Sequence, residues 1–449
     1  MRLNPLPFIA GLGFFILASF PALALKGPPI EAVTSPSGIQ AWLVRDETLP
    51  ILTFELAWRG GSATDPEDRH GLTHLMASLL NEGAGALDAM AFQKKMADNA
   101  IHFGFNADRD GLTAKLRCLS QYKKACFELL KLAVTAPRFD ADAIALMKNS
   151  HGASFRRQAQ NPRSMAYRAF FASVFEGHPY AHDPLGDLAS VEAITQSDLH
   201  THFQRHVARD NMHISVVGDI DARALAELLD EVFAGLPAQN SLPKIAKARI
   251  EAGPSSQHIA RDGPQTTVVF GHAGIALTDP NFFPAYLVNL VLAGGGTATI
   301  LGEEVREKRG LAYGVGTRFV PLRHADLWVG SVASDNTTAQ QAMDIIQTEL
   351  TKFTSLPSRL IYRLFGGPTL RDGKDYLTGS YALGFDSGAK IAGQMIYAQL
   401  HDRPMGYFET RNEKIEAVTL AQALEAARVL FSHDLRISSV GGTAIALPK

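Results

Sequence analysis

A duplicated pattern constrains the architecture of this 449-residue chain more than any other feature of its sequence. Three short segments recur in the same order: 191–195 as 415–419, 214–218 as 437–441, and the Thr-Asp-Pro of 64–66 as that of 278–280, at offsets of 224, 223 and 214. Ordered matches at a near-constant offset indicate that one structural unit was duplicated.

A polar segment separates the two copies. Residues 237–264 are rich in Pro, Gly, Ser, Gln and Lys and lack sustained apolar periodicity, which is typical of a linker. We therefore predict an N-terminal domain over 25–236, a linker over 237–264 and a C-terminal domain over 265–449.

Strand and helix patterns are mixed within each half. Apolar residues alternate with polar ones in 52–56 and 112–118, which predicts half-buried strands. Apolar residues at helical spacing in 72–80 and 225–233 predict helices with one buried face. The strict βαβ period of a doubly wound sheet is missing. The predicted class is therefore α+β, with two homologous halves, each of helices packed on mainly antiparallel sheets.

Composition excludes several classes of protein. The 43 basic and 45 acidic residues give a formal charge of -2, so no global cationic field favours nucleic acid as a partner. Two cysteines are too few for a disulfide scaffold, a four-cysteine zinc module or a cysteine-held iron–sulfur cluster. Cys118 and Cys126 each lie on a predicted apolar face, which predicts two buried thiols, with a disulfide as the alternative.

The N-terminal segment has the order of a secretory signal. Arg2 precedes an apolar run over 8–20, and the small-residue site Ala22-Leu23-Ala24 follows. We predict a signal peptide over 1–24, cleaved after Ala24, and a mature protein in the bacterial periplasm. The alternative is a retained N-terminal membrane anchor. After cleavage we expect no stable membrane span, because no second apolar run reaches the required length.

Two histidines lie four positions apart in the helix predicted over 70–80. His70 and His74 can share one metal, because side chains at i and i+4 project from the same side of a helix. A zinc hydrolase also needs a third ligand and a carboxylate base, and the next turn offers only Ala77 and Ser78. The spacing is thus compatible with a metal completed by ligands from elsewhere, or with a solvated or hydrogen-bonded histidine pair.

A charged helix end followed by a tyrosine marks the second half. A helix predicted over about 297–309 ends at Gly310, and an extended segment with Tyr313 follows. Arg306, in the last helical turn, can converge with Tyr313. The glycines 294–296 could cradle a phosphate, but the Lys and Ser/Thr of a P-loop are absent after them. The plain alternative is a solvated charge cluster beside a half-buried tyrosine.

The segment 69–83, RHGLTHLMASLLNEG, resembles the M16 metallopeptidases, the family of pitrilysin and mitochondrial processing peptidase. The resemblance extends over nearly the whole mature chain, including 177–180 (GHPY), 217–219 (VGD) and 397–400 (YAQL). It implies the fold of that family, in which the two halves together form one half of a clamshell. The family signature at this place is His-x-x-Glu-His, with a further zinc-binding glutamate downstream.

Carried over residue by residue, the zinc site is degenerate. His74 matches the first ligand, Ala77 stands in the place of the base, and Ser78 stands in the place of the second histidine. Counting back from the Asn-Pro at 161–162 puts Ser154 in the place of the last ligand. One histidine is a poor zinc site, and metal-bound water would lack its base. The resemblance thus implies no metal in this chain and no peptide hydrolysis by this chain alone.

Arg306 and Tyr313 match the arginine and tyrosine pair of the family. In two-subunit members one chain carries the zinc and the other chain carries this pair. We therefore expect the zinc-free subunit of a heterodimeric periplasmic peptidase, with zinc in the partner subunit and a peptide substrate enclosed between the two. The alternatives are a non-catalytic peptide-binding or assembly scaffold, a homodimer, and a metal-dependent enzyme that uses His70 and His74.

Overall fold

The computed structural model describes residues 27–250, 253–294, 299–355 and 368–447. The predicted signal peptide, 1–24, lies outside the described residues, and so do 295–298, which include two of the three glycines considered as a phosphate cradle.

The first half is built on a six-stranded sheet. Its strands are β1 (Glu31–Thr34), β2 (Gln40–Arg45), β3 (Ile51–Arg59), β4 (His102–Ala107), β5 (Gly111–Leu119) and β6 (Met212–Gly218). They are ordered β1-β2-β6-β3-β5-β4, and all neighbours are antiparallel except β2 and β6. All but the two end residues of β3 are buried, because this central strand is covered on both faces.

The second half repeats this topology with five strands. They are β7 (Ser255–Ala260), β8 (Gln265–Ala273), β9 (Ala312–Pro321), β10 (Asp326–Asp335) and β11 (Arg436–Gly441). Their order is β7-β11-β8-β10-β9, with only β7 and β11 parallel. This order reproduces the first sheet from β2 onward, so the predicted class and the predicted duplication are both confirmed.

The strand β7 lies inside the segment predicted as a linker. Its six residues pair in parallel with β11, and none of them is buried. An edge strand with so little burial is held by main-chain hydrogen bonds and needs no apolar alternation, so periodicity does not reveal it. The sheet of the second half therefore begins at Ser255, and the predicted boundary at 265 is too late.

Helices fill the spaces between the strands. Those of the first half are α1 (Leu72–Leu79), α2 (Ala89–Asp98), α3 (Lys123–Thr135), α4 (Ala141–Ala159), α5 (Pro162–Val174), α6 (Leu188–Ala193), α7 (Gln196–His206) and α8 (Ala222–Phe233). Those described in the second half are α9 (Phe282–Asn289), α10 (Ala339–Ser355), α11 (Pro368–Gly379), α12 (Gly388–Leu400), α13 (Tyr407–Glu416) and α14 (Leu420–Leu430). Among these helices, none combines the length and apolar content needed to cross a bilayer.

The two halves exchange one helix each. Helix α5 of the first half packs on β8 and β11, and α12 of the second half packs on β3 and β6. Phe170 and Val269 share one of the resulting apolar clusters, and Val217 and Met395 share the other. Each sheet is thus closed on one face by its own helices and on the other face by a helix from the opposite half.

Both cysteines are buried free thiols, which confirms the prediction. Cys118 of β5 and Cys126 of α3 pack in the core of the first half. A hydrogen bond with Cys118, together with burial, raises the pKa of the Cys126 thiol, so both side chains act as small apolar groups.

Candidate functional site

Helix α1, which carries the degenerate motif, begins at Leu72 rather than at His70. Gly71 precedes it with a φ of 91°, a left-handed conformation that favours glycine. The Gly71 and Thr73 N–H groups donate to the Asp65 carboxylate, each at 2.9 Å. Burial raises the pKa of Asp65 to about 7, against the hydrogen bonds that favour its ionised form. A buried carboxyl therefore fixes where α1 starts.

The helical-spacing argument for a shared metal on His70 and His74 does not apply, because His70 lies outside helix α1. Its ring stacks on His182, with centroids 3.6 Å apart. The i and i+4 argument requires helical backbone at both residues, and the turn at Gly71 breaks it. The described part of the chain contains no cluster of three or more His, Cys, Asp or Glu side chains able to hold a metal ion.

His74 faces α4 and contacts a histidine that the sequence did not single out. The rings of His74 and His151 have centroids 5.1 Å apart, and His74 Nδ1 lies 3.3 Å from the Ala107 carbonyl oxygen of β4. Burial lowers the pKa of His74, and burial with the neighbouring His74 lowers the pKa of His151 to about 4. The pair is therefore neutral near pH 7.

The other three positions of the motif offer no group to a metal. Ala77 is 1% exposed and packs in the core. The Ser78 hydroxyl donates to the Leu75 carbonyl at 2.7 Å. The Ser154 hydroxyl accepts a 2.8 Å hydrogen bond from Arg157 on the same helix. The hydroxyls of Ser78 and Ser154 are thus each hydrogen-bonded within the helix that carries them.

Helical spacing in the sequence places His151 on the same side of α4 as Ser154. It precedes Ser154 by three positions in α4, and residues i and i+3 lie on one side of a helix. Counting to Ser154 located the correct helix, but the residue that reaches His74 lies one turn earlier. Only the packing of α1 against α4 identifies it.

Arg306 and Tyr313 do converge, as the sequence predicts. Arg306 lies in the π-helical segment Gly302–Glu307, and the chain reverses at Gly310, with a φ of 62°, before entering β9. The Arg306 Cζ is 5.3 Å from the centroid of the Tyr313 ring, within reach of a cation–π interaction. The helix predicted over about 297–309 is thus π-helical over Gly302–Glu307.

The tyrosine of this pair is presented to solvent. Tyr313 is 88% exposed, and no hydrogen bond from its hydroxyl occurs within the described ranges. Arg306 Nε forms a 3.4 Å ion pair with the exposed Glu307. Glu304 binds Lys308 and Arg309 instead of Arg306, and the Arg306 guanidinium lies beside the Tyr313 ring. The alternative of a half-buried tyrosine is wrong, because the side chain projects from an edge strand.

Two sequence models of one family match the chain. The model described as Insulinase (Peptidase family M16) matches residues 42–186. The model described as Peptidase M16 inactive domain matches residues 193–359. Between them the two matches include most of the chain, the His74 motif in the first and the Arg306–Tyr313 pair in the second.

Among curated proteins, similar chains carry contrasting names. "Non-peptidase homolog YmxG" of Helicobacter pylori is 24% identical over 336 residues, 75% of this chain and 76% of the relative. An "Uncharacterized zinc protease" of Rickettsia felis is 22% identical over 307 residues, 68% of this chain and 73% of the relative.

Solved structures are similar over almost the whole length. The peptidase M16 inactive domain from Pseudomonas fluorescens has a TM-score of 0.83 and 28% identity, covering 94% of this chain and 100% of that one. A protease from Helicobacter pylori has a TM-score of 0.82 at 16% identity, covering 92% and 100%. At 16% identity, the similarity to this second structure shows a shared fold only.

Proposed function

Since this chain belongs to the M16 peptidase family and is a non-catalytic member of it, we propose that it is the zinc-free subunit of a heterodimeric periplasmic peptidase. In this proposal a zinc-bearing family member is the partner, and a peptide substrate is enclosed between the two subunits. The chain itself contributes Arg306 and Tyr313 to the reaction of the partner.

The observation that carries the proposal is the exposed arginine–tyrosine pair. Tyr313 is 88% exposed and lies beside Arg306 without a hydrogen bond to its hydroxyl in the described part of the chain. A large aromatic side chain so exposed on an edge strand gains little from the fold of its own chain. Its place is explained if a second molecule supplies its hydrogen-bond partner.

The chemistry follows from the donors that the pair presents. Zinc in the partner subunit, when bound, would activate the water that attacks the peptide bond. The Arg306 guanidinium, with several N–H groups in one plane, can donate to substrate carbonyl oxygens and hold the peptide in register. The Tyr313 hydroxyl can donate to the oxyanion that develops on the attacked carbonyl, an interaction of about 3 kcal/mol in favourable cases.

The degenerate half of the chain supports this division of labour. Ala77 and Ser78 offer neither a base nor a second ligand, and His74 packs beside the neutral His151. Hydrolysis by a zinc mechanism needs both an open metal site and a proton acceptor. These residues do not provide them, which supports the proposal that the metal and the base come from the partner.

The test is a reconstitution. Peptide hydrolysis is measured with this chain alone, with a zinc-bearing M16 chain encoded beside it alone, and with an equimolar mixture, each after chelation and zinc return to the partner. We expect activity above the sum of the separate chains only in the mixture. Hydrolysis by this chain alone in chelator would overturn the proposal. A stable complex without any gain in activity would favour the scaffold alternative.

The compartment is tested separately. The signal over 1–24 predicts a mature N-terminus at Leu25. Mass spectrometry of the protein from a periplasmic fraction should find that terminus, whereas an intact N-terminus in the membrane fraction would support the retained anchor.

A further inference from the structure

A cleft of about 1120 Å³ opens between the first sheet and the exchanged helix α12. Helix α12 packs over β3 and β6, and the cleft extends from there across β5 and β4 toward the open edge of the sheet. Glu55 and Lys115 form its floor, and Gly393 and Tyr397 form one wall. Neither the His74 motif nor the Arg306–Tyr313 pair lines it.

The equivalent place in the second half is filled by an aromatic ring. The exchanged helices α5 and α12 both have 13 residues, and their sixth residues are Tyr167 and Gly393. In the second half the Tyr167 hydroxyl accepts a 2.8 Å hydrogen bond from Arg318. The Arg318 Cζ also lies 5.1 Å from the centroid of the Tyr167 ring. A tyrosine side chain thus fills the space between exchanged helix and sheet.

The first half has no ring at this place, because Gly393 has no side chain. A Cβ added there would lie 3.6 Å from both carboxylate oxygens of Glu55, which is an ordinary van der Waals distance. The space above Glu55 therefore lies directly next to Gly393. Register supports the equivalence of the two sites. Glu55 pairs with Lys115 across the first sheet as Val269 pairs with Ser331 across the second.

Charges on the open side of the cleft are mainly positive. Lys115 Nζ lies 3.2 Å from Glu55 and neutralises it, although the lysine side chain is 71% exposed. Arg117 and His102 are exposed cross-strand neighbours on β5 and β4, and Arg117 has no ion pair within the described part of the chain. A carboxylate-bearing ligand complements this rim.

The wall opposite the rim is apolar and partly uncovered. Leu383 is 66% exposed and Tyr397 is 40% exposed, and both line the cleft. Two large apolar side chains that share one exposed cleft indicate a binding surface more strongly than either alone. The ligand must therefore carry a large apolar group as well as negative charge.

We propose that this cleft binds an extended acidic peptide segment whose single large aromatic side chain occupies the space above Gly393. The acidic residues of the peptide then face Arg117 and His102, and its ring contacts Leu383 and Tyr397. The identification of this peptide as substrate rests on the proposed function, but the binding itself requires only this chain. The cleft would select which peptides enter the complex.

The test measures binding of a labelled peptide to the isolated full-length protein, with fluorescence anisotropy as the readout. The probe is a fluorescein-labelled nonapeptide with one central phenylalanine, two aspartates on each side, and glycine and serine at the ends. Versions with alanine for phenylalanine, and with lysines for the aspartates, serve as competitors. We expect each competitor to bind at least about tenfold more weakly than the parent peptide.

Two variants locate the site. Gly393→Tyr copies the residue that fills the equivalent place in the other half, and it should weaken binding of the probe at least about tenfold. Gly235→Tyr is the matched control, because Gly235 has no atom within 4 Å of an added Cβ and lies outside the cleft. Arg117→Glu reverses the charge of the rim without adding bulk to the helix interface, and it should weaken binding by a similar factor.

The outcomes separate cleanly. Loss of binding in both Gly393→Tyr and Arg117→Glu, with Gly235→Tyr unchanged, supports the site. If Gly393→Tyr fails to fold, as judged by thermal unfolding, Arg117→Glu decides alone. Absence of binding by the wild type, or equal affinity in wild type and Arg117→Glu, overturns the proposal. Since no partner or zinc is present, a negative result here leaves the reconstitution experiment unaffected, and the reverse also holds.

Discussion

Ala77 occupies the place of the family's base, and its methyl group lies in the core of the first half. A carboxylate at this point would be buried, and a buried unpaired charge is costly unless a metal or an opposite charge compensates it. His74, at the place of the family's first ligand, packs beside the neutral His151. The side chains at positions 77 and 78 therefore supply neither a base nor a second zinc ligand.

Tyr313 and Arg306 are the residues whose substitution should matter to a reconstituted complex. Tyr313→Phe removes the donor but keeps the ring beside Arg306, so turnover of the mixture should fall about 100-fold, the effect of losing one oxyanion donor. Arg306→Ala should lower turnover by at least a similar factor. Steady-state kinetics with the zinc-bearing partner provides the measurement.

The matched control for these variants is Tyr376→Phe, another exposed tyrosine of the second half, at 58% exposure. It should leave turnover unchanged. All variants should still assemble with the partner in size-exclusion chromatography, because an exposed pair contributes little to the fold. Equal turnover for the wild type and both site variants would remove the role assigned to the pair.

The buried histidines make stability depend on pH. His272 is 2% exposed and stacks on Trp328 with centroids 4.8 Å apart, and burial lowers its pKa to about 4. The unfolded chain, with an ordinary histidine pKa of 6.5, binds more protons between pH 6.5 and 4. His272 thus contributes stability above pH 6.5 that is lost as the pH falls toward 4.

Replacing His272 isolates this contribution. His272→Phe keeps a ring against Trp328 and cannot be protonated, so the loss of unfolding free energy between pH 7 and pH 5 should shrink by roughly 1 to 2 kcal/mol. Urea denaturation at the two pH values measures it. An unchanged pH dependence of stability in His272→Phe would contradict the assignment.

At the scale of elements, the beginning of α1 decides which residues share its faces. The helix starts at Leu72 because Gly71 adopts a positive φ and the Asp65 carboxylate accepts the first N–H groups. His70 consequently leaves the helix and stacks on His182. The element boundary, and not the sequence spacing, determines which histidine lies beside His74.

Gly71→Ala tests this boundary. An added Cβ would lie 2.4 Å from the Leu185 carbonyl oxygen, in addition to the strain of a φ of 91°. We expect a loss of about 2 to 4 kcal/mol in unfolding free energy, measured by chemical denaturation.

Gly177→Ala is the control for the strain alone, because Gly177 has a φ of 74° and no atom within 4 Å of an added Cβ. It should cost only about 1 kcal/mol. Equal losses in the two variants would show that the contact with Leu185 is unimportant.

At the scale of the whole molecule, the exchange of α5 and α12 makes the two halves one cooperative unit. Each sheet would expose an apolar face if the other half moved away, since the shared clusters include Phe170 with Val269 and Val217 with Met395. Burial of these faces is the main force that holds the halves together. It also forms the cleft between α12 and the first sheet.

Gly388→Leu tests the exchange, because Gly388 sets the distance between α12 and the sheet. An added Cβ would lie 3.3 Å from Val217 Cγ1 and 3.4 Å from Thr53 Oγ1, so a leucine must displace the helix. We expect a loss of about 1 to 3 kcal/mol in unfolding free energy. Gly379→Leu, with no atom within 4 Å of an added Cβ, should be nearly neutral in the same urea titration.

Local patterns were sufficient for much of the fold. The repeat predicted two homologous halves, alternation predicted β3 and β5, and the apolar stripe of 225–233 predicted α8, whose N-cap is Asp221. The turn predicted at Gly310 implied that Arg306 and Tyr313 converge, and the structure places them side by side. These features depend on residues close in sequence, where spacing and backbone preference act directly.

The sequence by itself determined the duplicated α+β architecture, the loss of zinc-binding groups at Ala77 and Ser78, and the arginine–tyrosine pair. The tertiary structure decided the contact of His74 with His151, the stacking of His70 on His182, the strand at 255–260 and the helix exchange. The physical reason is the range of the interactions. Periodicity reports which face of an element is apolar, but only the packing of distant segments selects the element that covers it.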